Sequence, residues 1–368
     1  MRFRCERDAL LESLTAASRA ASTRSGLSAS FGGVRIETRG DRAHLAGTDM
    51  ELSIQTVVPI QSSSEGVAVI PGKLAVDIVR AFDEGVVNVE TGDDNAVFSC
   101  GRSEFTVRLF AIDDFPALPH RDGGSVTIAA RSLGDALGQV VRAASTDESK
   151  PLLTGVLLAE QAGGLRVVAT DSYRLAVRDL PGTNVLSEGN KVLVPARALG
   201  ELQRILATVS DGQDLTFWLG STEVTFEIGT VVLTARLLSG DFPEYQRLIP
   251  PSYPNQMIVA KTAILDAMRR MKLLIKDNTT PVRISLREEG AVLNVISPDV
   301  GHAREDVDAK YSGTEMNVAF NPNYLIDGIE AIPTDDIILE TIDSTKPATI
   351  RPSQDEDFQY LLMPVRVS

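Results

Sequence analysis

The chain has 368 residues, of which 43% are hydrophobic, and a formal net charge of −14 at pH 7. At roughly 100–200 residues per domain this predicts two or three packed domains, and no apolar run is long enough to cross a membrane. The acidic total argues against phosphate contact over the general surface, although a sum does not exclude one basic inner face. Cys5 and Cys100, with His44, His120 and His302, show no metal-ligand spacing, so neither a metal nor another cofactor is expected.

Along the chain, "MRFRCERDALLESL" has charges where a signal peptide needs an apolar stretch, and a cytoplasmic location is expected. Helix-period apolar spacing marks residues 6–20, where Leu10, Leu11, Leu14 and Ala17 form one stripe, and again residues 130–145 and 261–275. Three markers recur in the same order. The turn "GTDMELSIQ" around Asp49 returns as "ATDSYRLAV" around Asp171 and, degenerately, as "SPDVGHARED" around Asp299. A Pro-started helix comes after it each time, at Pro71, Pro195 and Pro322. "DDFPALP", "GDFPEYQRLIP" and "EDFQYLLMP" close the units. The chain is read as three tandem units of about 125 residues, an ordinary domain size. Their limits are set at 1–121, 122–251 and 252–368, in Pro- and Gly-rich stretches. Segments such as "EFTVRLF", "LTFWLG", "VTFEI" and "VVLTARLL" alternate with period two and read as strands. The fold class is therefore α+β, each unit an internal duplication with two helices over a β-sheet.

The helices display Lys73 and Arg80, Arg142, Arg197 and Arg204, and Arg269, Arg270 and Lys272, and as a set they are basic although the chain is −14. Single helices need no explanation beyond solvation. The whole set points to a helical surface that touches phosphates without reading bases, in a salt-sensitive way.

The chain resembles the bacterial DNA sliding clamps, the beta subunits of DNA polymerase III. The likeness rests on "MRFRCERDALLESL", "STDESKPLLTGVLL", "ATDSYRLAV", "SGDFPEYQRLIP", "FNPNYLIDGIEAI" and "YLLMPVRVS", and it spans essentially the whole length. The resemblance implies a head-to-tail homodimer closed into a ring around double-stranded DNA, with helices lining the hole. By position in the family pattern, Arg24, Lys73, Arg80, Lys150, Arg197 and Arg204 would approach DNA, while Arg142, Arg269, Arg270 and Lys272 are added from helical charge, the last three having the subunit junction as an alternative role. The subunit junction would join Phe105 and Val107 on an edge strand to Leu273 and Leu274 of the other copy.

The resemblance also implies a pocket for short linear motifs of the replicative polymerase, the clamp loader and repair proteins. Thr170, Ser172, Tyr173, Arg174 and Leu175 would line it with Pro243, Arg247 and Leu248, with Asn321 and Tyr324, and with the tail residues Leu361, Met363, Pro364, Val365 and Arg366. Apolar side chains would form the floor, and Arg and Thr would supply fixed polar contacts. The chain departs from the family at Ser172-Tyr173, where some clamps have Gly-His, at Val365, where a bulkier Met is common, and over residues 22–38. These departures raise the alternative of a specialised second clamp, such as an inhibitor-resistant paralogue. A monomeric peptide-binding scaffold is a further alternative. An enzyme is not expected: "PGKLA" lacks the glycine spacing of a phosphate loop, and no G-x-S-x-G, H-E-x-x-H or C-x-x-C occurs.

Overall fold

The computed structural model describes residues 1–21, 29–121, 123–276, 280–355 and 357–366, and the expected helices are all present among them. They are α1 (Arg7–Ala20), α2 (Gly72–Ala81), α3 (Ala130–Val140), α4 (Ala196–Leu206), α5 (Lys261–Lys272) and α6 (Pro322–Glu330). Two end earlier than periodicity suggests. After α3, at the β-branched pair Val140-Val141, the chain tightens into a 3₁₀ turn, Val141–Ala143. After α5 the N–H groups of Leu273, Leu274 and Ile275 bond back three residues instead of four. The proline marker also differs between copies. Pro322 opens α6 at its first turn behind the cap Asn321, whereas Pro71 and Pro195 are the last residues of strands.

The contacts group the chain into two compact units, Met1–Arg131 with Arg204–Leu237, and Ser132–Gln203 with Leu238–Ser368. In the first, a five-stranded sheet runs Gln61–Ser64, Arg2–Glu6, Val86–Thr91, Asn95–Cys100, Ser103–Arg108. An eight-stranded sheet runs Gly124–Ala129, Asp214–Leu219, Glu223–Ile228, Val231–Arg236, Leu52–Pro59, Arg42–Thr48, Gly33–Arg39, Gly66–Pro71. Both sheets, α1 and α2 bury one core, with Phe3, Leu10, Leu14, Ile36, Val79 and Phe98 at its centre. In the second unit a nine-stranded sheet runs Lys191–Pro195, Gly155–Gln161, Gly164–Thr170, Arg174–Pro181, Phe358–Leu362, Ala348–Pro352, Asp336–Thr341, Asn255–Ala260, Ala309–Ser312. A four-stranded sheet runs Gly301–Val307, Gly290–Ser297, Val282–Arg287, Met316–Phe320.

The sheets run across the repeat limits by a common rule. The strand after the first Thr-Asp turn, Leu52–Pro59, pairs antiparallel with the last strand of the middle repeat, Val231–Arg236. The strand after the second, Arg174–Pro181, pairs in the same way with the last strand of the third repeat, Phe358–Leu362. The third copy is a tighter hairpin whose last ladder pair is Ser297 with Gly301, and Gly301–Val307 lies at a sheet edge.

Packing of α1 on its sheet depends on Gly47, where an added Cβ would lie 2.0 Å from the backbone oxygen of Ala17. That oxygen belongs to helix backbone and has no side-chain freedom to yield. Gly47→Ala is expected to cost more than about 2 kcal/mol of unfolding free energy, read from the midpoint of a urea melt.

Candidate partner-binding site

The Thr-Asp marker resolves into one turn built twice. Asp171 Oδ1 accepts from the backbone N–H of Tyr173 (2.9 Å) and Arg174 (3.0 Å). Asp49 Oδ1 accepts likewise from Glu51 (3.1 Å) and Leu52 (2.8 Å). The preceding threonine accepts from the next-but-one N–H in both copies, Ser172 to Thr170 Oγ1 and Met50 to Thr48 Oγ1. The residue after the aspartate takes a positive φ, 82° at Ser172 and 70° at Met50, the region that favours glycine. Thr-Asp is thus turn chemistry, and the two copies are distinguished by the pair of residues beyond that position.

In the second copy the pair is Tyr173-Arg174. Arg174 is mostly buried: Nε donates to Asp171 Oδ2 (3.0 Å), and Nη1 donates to Asp327 Oδ2 (2.5 Å) and to Tyr360 Oη (3.4 Å). Its guanidinium lies 4.4 Å from the centre of the Tyr324 ring. Burial works against its charge, but Tyr360, Asp327 and Asp171 outweigh burial and raise its pKa. Burial pushes the Tyr360 hydroxyl up as well, and that hydroxyl donates to the Tyr324 carbonyl (3.0 Å). The Thr170 hydroxyl donates to the Arg174 carbonyl (2.6 Å). These bonds shape the turn, and both residues also belong to the cleft beside it.

The turn opens onto a cleft of ≈ 230 Å³ lined by Thr170, Ser172, Tyr173, Arg174, Leu175, Leu248, Pro347, Leu361 and Met363. Leu175 and Leu361 are cross-strand neighbours and sit at once in its floor and in the core. Tyr173 is 58% exposed and stacks on Tyr324, with ring centres 6.4 Å apart. The tail is tied to the turn by the Met363 N–H donating to the Tyr173 carbonyl (2.9 Å).

Several expected residues sit elsewhere. Pro243 and Arg247 line a second cleft, of ≈ 790 Å³, with Leu157, Lys191, Phe242 and Tyr245. Arg247 pairs with Glu244 (2.9 Å) at the surface. Asn321 caps α6, its side chain accepting from Asn323 and Tyr324 N–H. Pro364, Val365 and Arg366 are not in the lining, and Val365 N–H donates to the Ala319 carbonyl (2.7 Å). Pro347 was missed. Its place in the cleft comes from Ala348 pairing with Leu362, which nothing in "DSTKPAT" announces.

Of the basic residues, Arg24 lies outside the described residues, and Lys73, Arg80, Arg142, Lys150, Arg197, Arg204, Arg269, Arg270 and Lys272 are all exposed. Lys150 stands in the turn before the 3₁₀ segment Pro151–Thr154. Arg80 pairs with Asp77 (3.3 Å) and Arg142 with Glu330 (2.9 Å). Arg270, exposed on α5, is drawn to Glu305 on the edge strand Gly301–Val307 by two bonds of 2.7 and 2.8 Å. At the expected junction, Phe105 is 43% exposed on the edge strand Ser103–Arg108 and leans on Phe82. Leu273 is 81% exposed beyond α5, and Leu274 is half-buried. Val107 is buried in its own core, so its side chain presents no free contact there. No group of three or more His, Cys, Asp or Glu side chains suited to a metal is found among the described residues.

Family models of the DNA polymerase III beta subunit match in sequence: the N-terminal domain over residues 1–119, the central domain over 127–244 and the C-terminal domain over 246–366. The chain belongs to the DNA polymerase III beta subunit family, the beta sliding clamps. It is 32% identical to the beta sliding clamp of Streptomyces coelicolor and 30% to that of Staphylococcus aureus, in each case over 100% of this chain, and over 100% and 99% of the relative. A sliding clamp structure from Bartonella birtlesii bound to griselimycin matches at 29% identity with a TM-score of 0.91, and one from Bacillus subtilis at 27% with 0.88, each covering 100% of both chains. These likenesses make the chain a DNA sliding clamp and favour that reading over a peptide-binding scaffold or a specialised variant.

Removing the Arg174 side chain would leave the buried Asp171 and the partly exposed Asp327 without their cation. Arg174→Ala is expected to lose about 3 kcal/mol of stability, whereas Tyr173→Ala, on the exposed rim, should stay within about 0.5 kcal/mol, both by denaturant titration.

Proposed function

We propose that two copies of the chain close head to tail into a ring that encircles duplex DNA without sequence preference, and that the ring holds the replicative polymerase on its template. The observation that carries this reading is the unfinished pattern of strand pairing. Two of the three post-turn strands pair with the last strand of the next repeat. The third, Gly301–Val307, and the last strand of the first repeat, Ser103–Arg108, are both left at sheet edges. Repeating the rule between molecules pairs one with the other. The same edge recurs on the second copy, so the contact is heterologous, and in our reading it closes after two chains, giving six repeats in a circle. Phe105 and Leu273, both exposed, would be covered there.

In this reading residues 1–121, 122–251 and 252–368 are the three clamp domains, and the exposed cations of the helices face the phosphate backbone. The cleft beside Tyr173 accepts short apolar motifs of the polymerase, the clamp loader and repair proteins one at a time, and a Bartonella relative bound to griselimycin supports a ligand site on such a protein. Met363 gives its rim the adaptability that several partners need. The chain acts by tethering and not by catalysis, in the cytoplasm at the nucleoid.

The deciding experiment loads the protein onto a nicked circular plasmid with a clamp loader and then linearises it. The protein is expected to stay on circles and to run off linear DNA, and Leu273→Ala with Leu274→Ala is expected to abolish retention on circles. Equal binding to both forms would exclude an enclosing ring. For the pocket, deletion of residues 363–368 is expected to weaken griselimycin binding at least about tenfold while leaving the mass in solution that of a dimer; an unchanged affinity would place the ligand elsewhere.

A further inference from the structure

Three cations converge on the C-terminal end of α6. Arg142 Nη1 lies 2.9 Å from Glu330 Oε2, and Arg269 Nη2 lies 3.6 Å from Glu330 Oε1. Lys261 Nζ donates to the backbone carbonyls of Glu330 (3.3 Å) and Ile332, where the end of a helix concentrates negative partial charge. Asp266 shares Arg269 at 3.2 Å. The side chains of Arg142 and Arg269 are more than half exposed, at 56% and 59%, while that of Glu330 is 35% exposed. Such pairs add little stability in water. Their larger effect is on position: one carboxylate holds two guanidinium groups together and cancels part of their field.

We propose that Glu330 is a positioning residue for DNA contact, which holds Arg142 and Arg269 back from phosphates and so keeps the grip of the ring weak enough to slide. The inference rests on the DNA-encircling reading above. A protein held on DNA by topology has no need of strong phosphate contacts, and each one made must be broken at every step along the duplex. Arg80, held by Asp77 at 3.3 Å on α2, repeats the device in the other unit. A carboxylate that competes with phosphate for the same guanidinium lowers the number of counterions released on binding, and that number is what the salt dependence of affinity reports.

The test compares wild type with Glu330→Gln, which keeps the size of the side chain, removes its charge and turns one of its two acceptor oxygens into an amide donor. Binding of the unloaded protein to a short fluorescent duplex is measured by anisotropy over a salt series, alongside retention on nicked circles. Release of Arg142, with Arg269 left to Asp266 alone, is expected to steepen the slope of log K against log salt by about one to two and to tighten binding about five- to tenfold at low salt. Adding Arg142→Gln and Arg269→Gln to Glu330→Gln should return the slope to the wild-type value. Asp93→Asn, an equal charge change in an exposed strand turn, should leave it unmoved. Wild-type retention on circles with an unchanged slope in Glu330→Gln would overturn the inference and leave the ring intact. A steeper slope in Asp93→Asn as well would overturn it too, by assigning the effect to net charge. Loss of retention by wild type itself would instead overturn the ring on which the inference rests.

Discussion

Backbone pairing between the strand after a Thr-Asp turn and the last strand of the next repeat is the constraint on which the rest of the molecule depends. It fuses half of one repeat to half of the next into continuous sheets of eight and nine strands. Backbone groups at a strand edge must find partners or water, and here they find the neighbouring repeat. The register is fixed by alternation: Leu175 and Leu361 face each other across the second junction and bury into one core. A slip of one residue would turn both outward.

The same pairing makes the partner cleft. Arg174–Pro181 supplies Arg174 and Leu175, Phe358–Leu362 supplies Leu361, and the chain beyond supplies Met363, so the floor exists only because the two repeats are joined. Arg174 then locks the junction. It reaches Asp171 in its own turn, Asp327 and Tyr324 on α6, and Tyr360 on the joined strand. A buried guanidinium with two carboxylates and an aromatic face is stable only when every partner is in place. The network therefore works as a check that the junction has closed correctly. In the first copy, Leu52 stands where Arg174 stands in the second, and an apolar contact replaces the network.

Much of this was legible before any coordinates. Helix periods, strand alternation and the three recurring markers located the helices and the major strands, because each is a local pattern repeated three times. The failures share a cause. The internal bonds of Arg174 and Thr170 were not legible, because residue type gives donor capacity and not which neighbour uses it. Asn321 was placed in the pocket by its position in a motif, although Asn before Pro at a helix start is cap chemistry that could have been read from "FNPNYL". The partnership of Tyr324 and Asp327 was also within reach, since residues three apart share one helix face. Pro347 and Tyr360 were not, since only long-range strand pairing brings them to the turn.

Charge shows the same division between what a chain contains and what its fold leaves available. Counting Lys and Arg on the helices gives a basic set. The fold matches Arg80, Arg142, Arg269 and Arg270 each with a carboxylate within 4 Å, two of them three residues earlier on the same helix. For a protein that must bind phosphate tightly, such pairing would be a defect. For one held on its track by closure, it is a requirement. In the proposed ring the work of staying on DNA would pass from many contacts to the two junctions between copies, and the contacts would be free to be weak. Strength in this molecule is therefore expected at strand edges and at Arg174, where failure would open or misassemble such a ring, and restraint is expected wherever the protein meets its track.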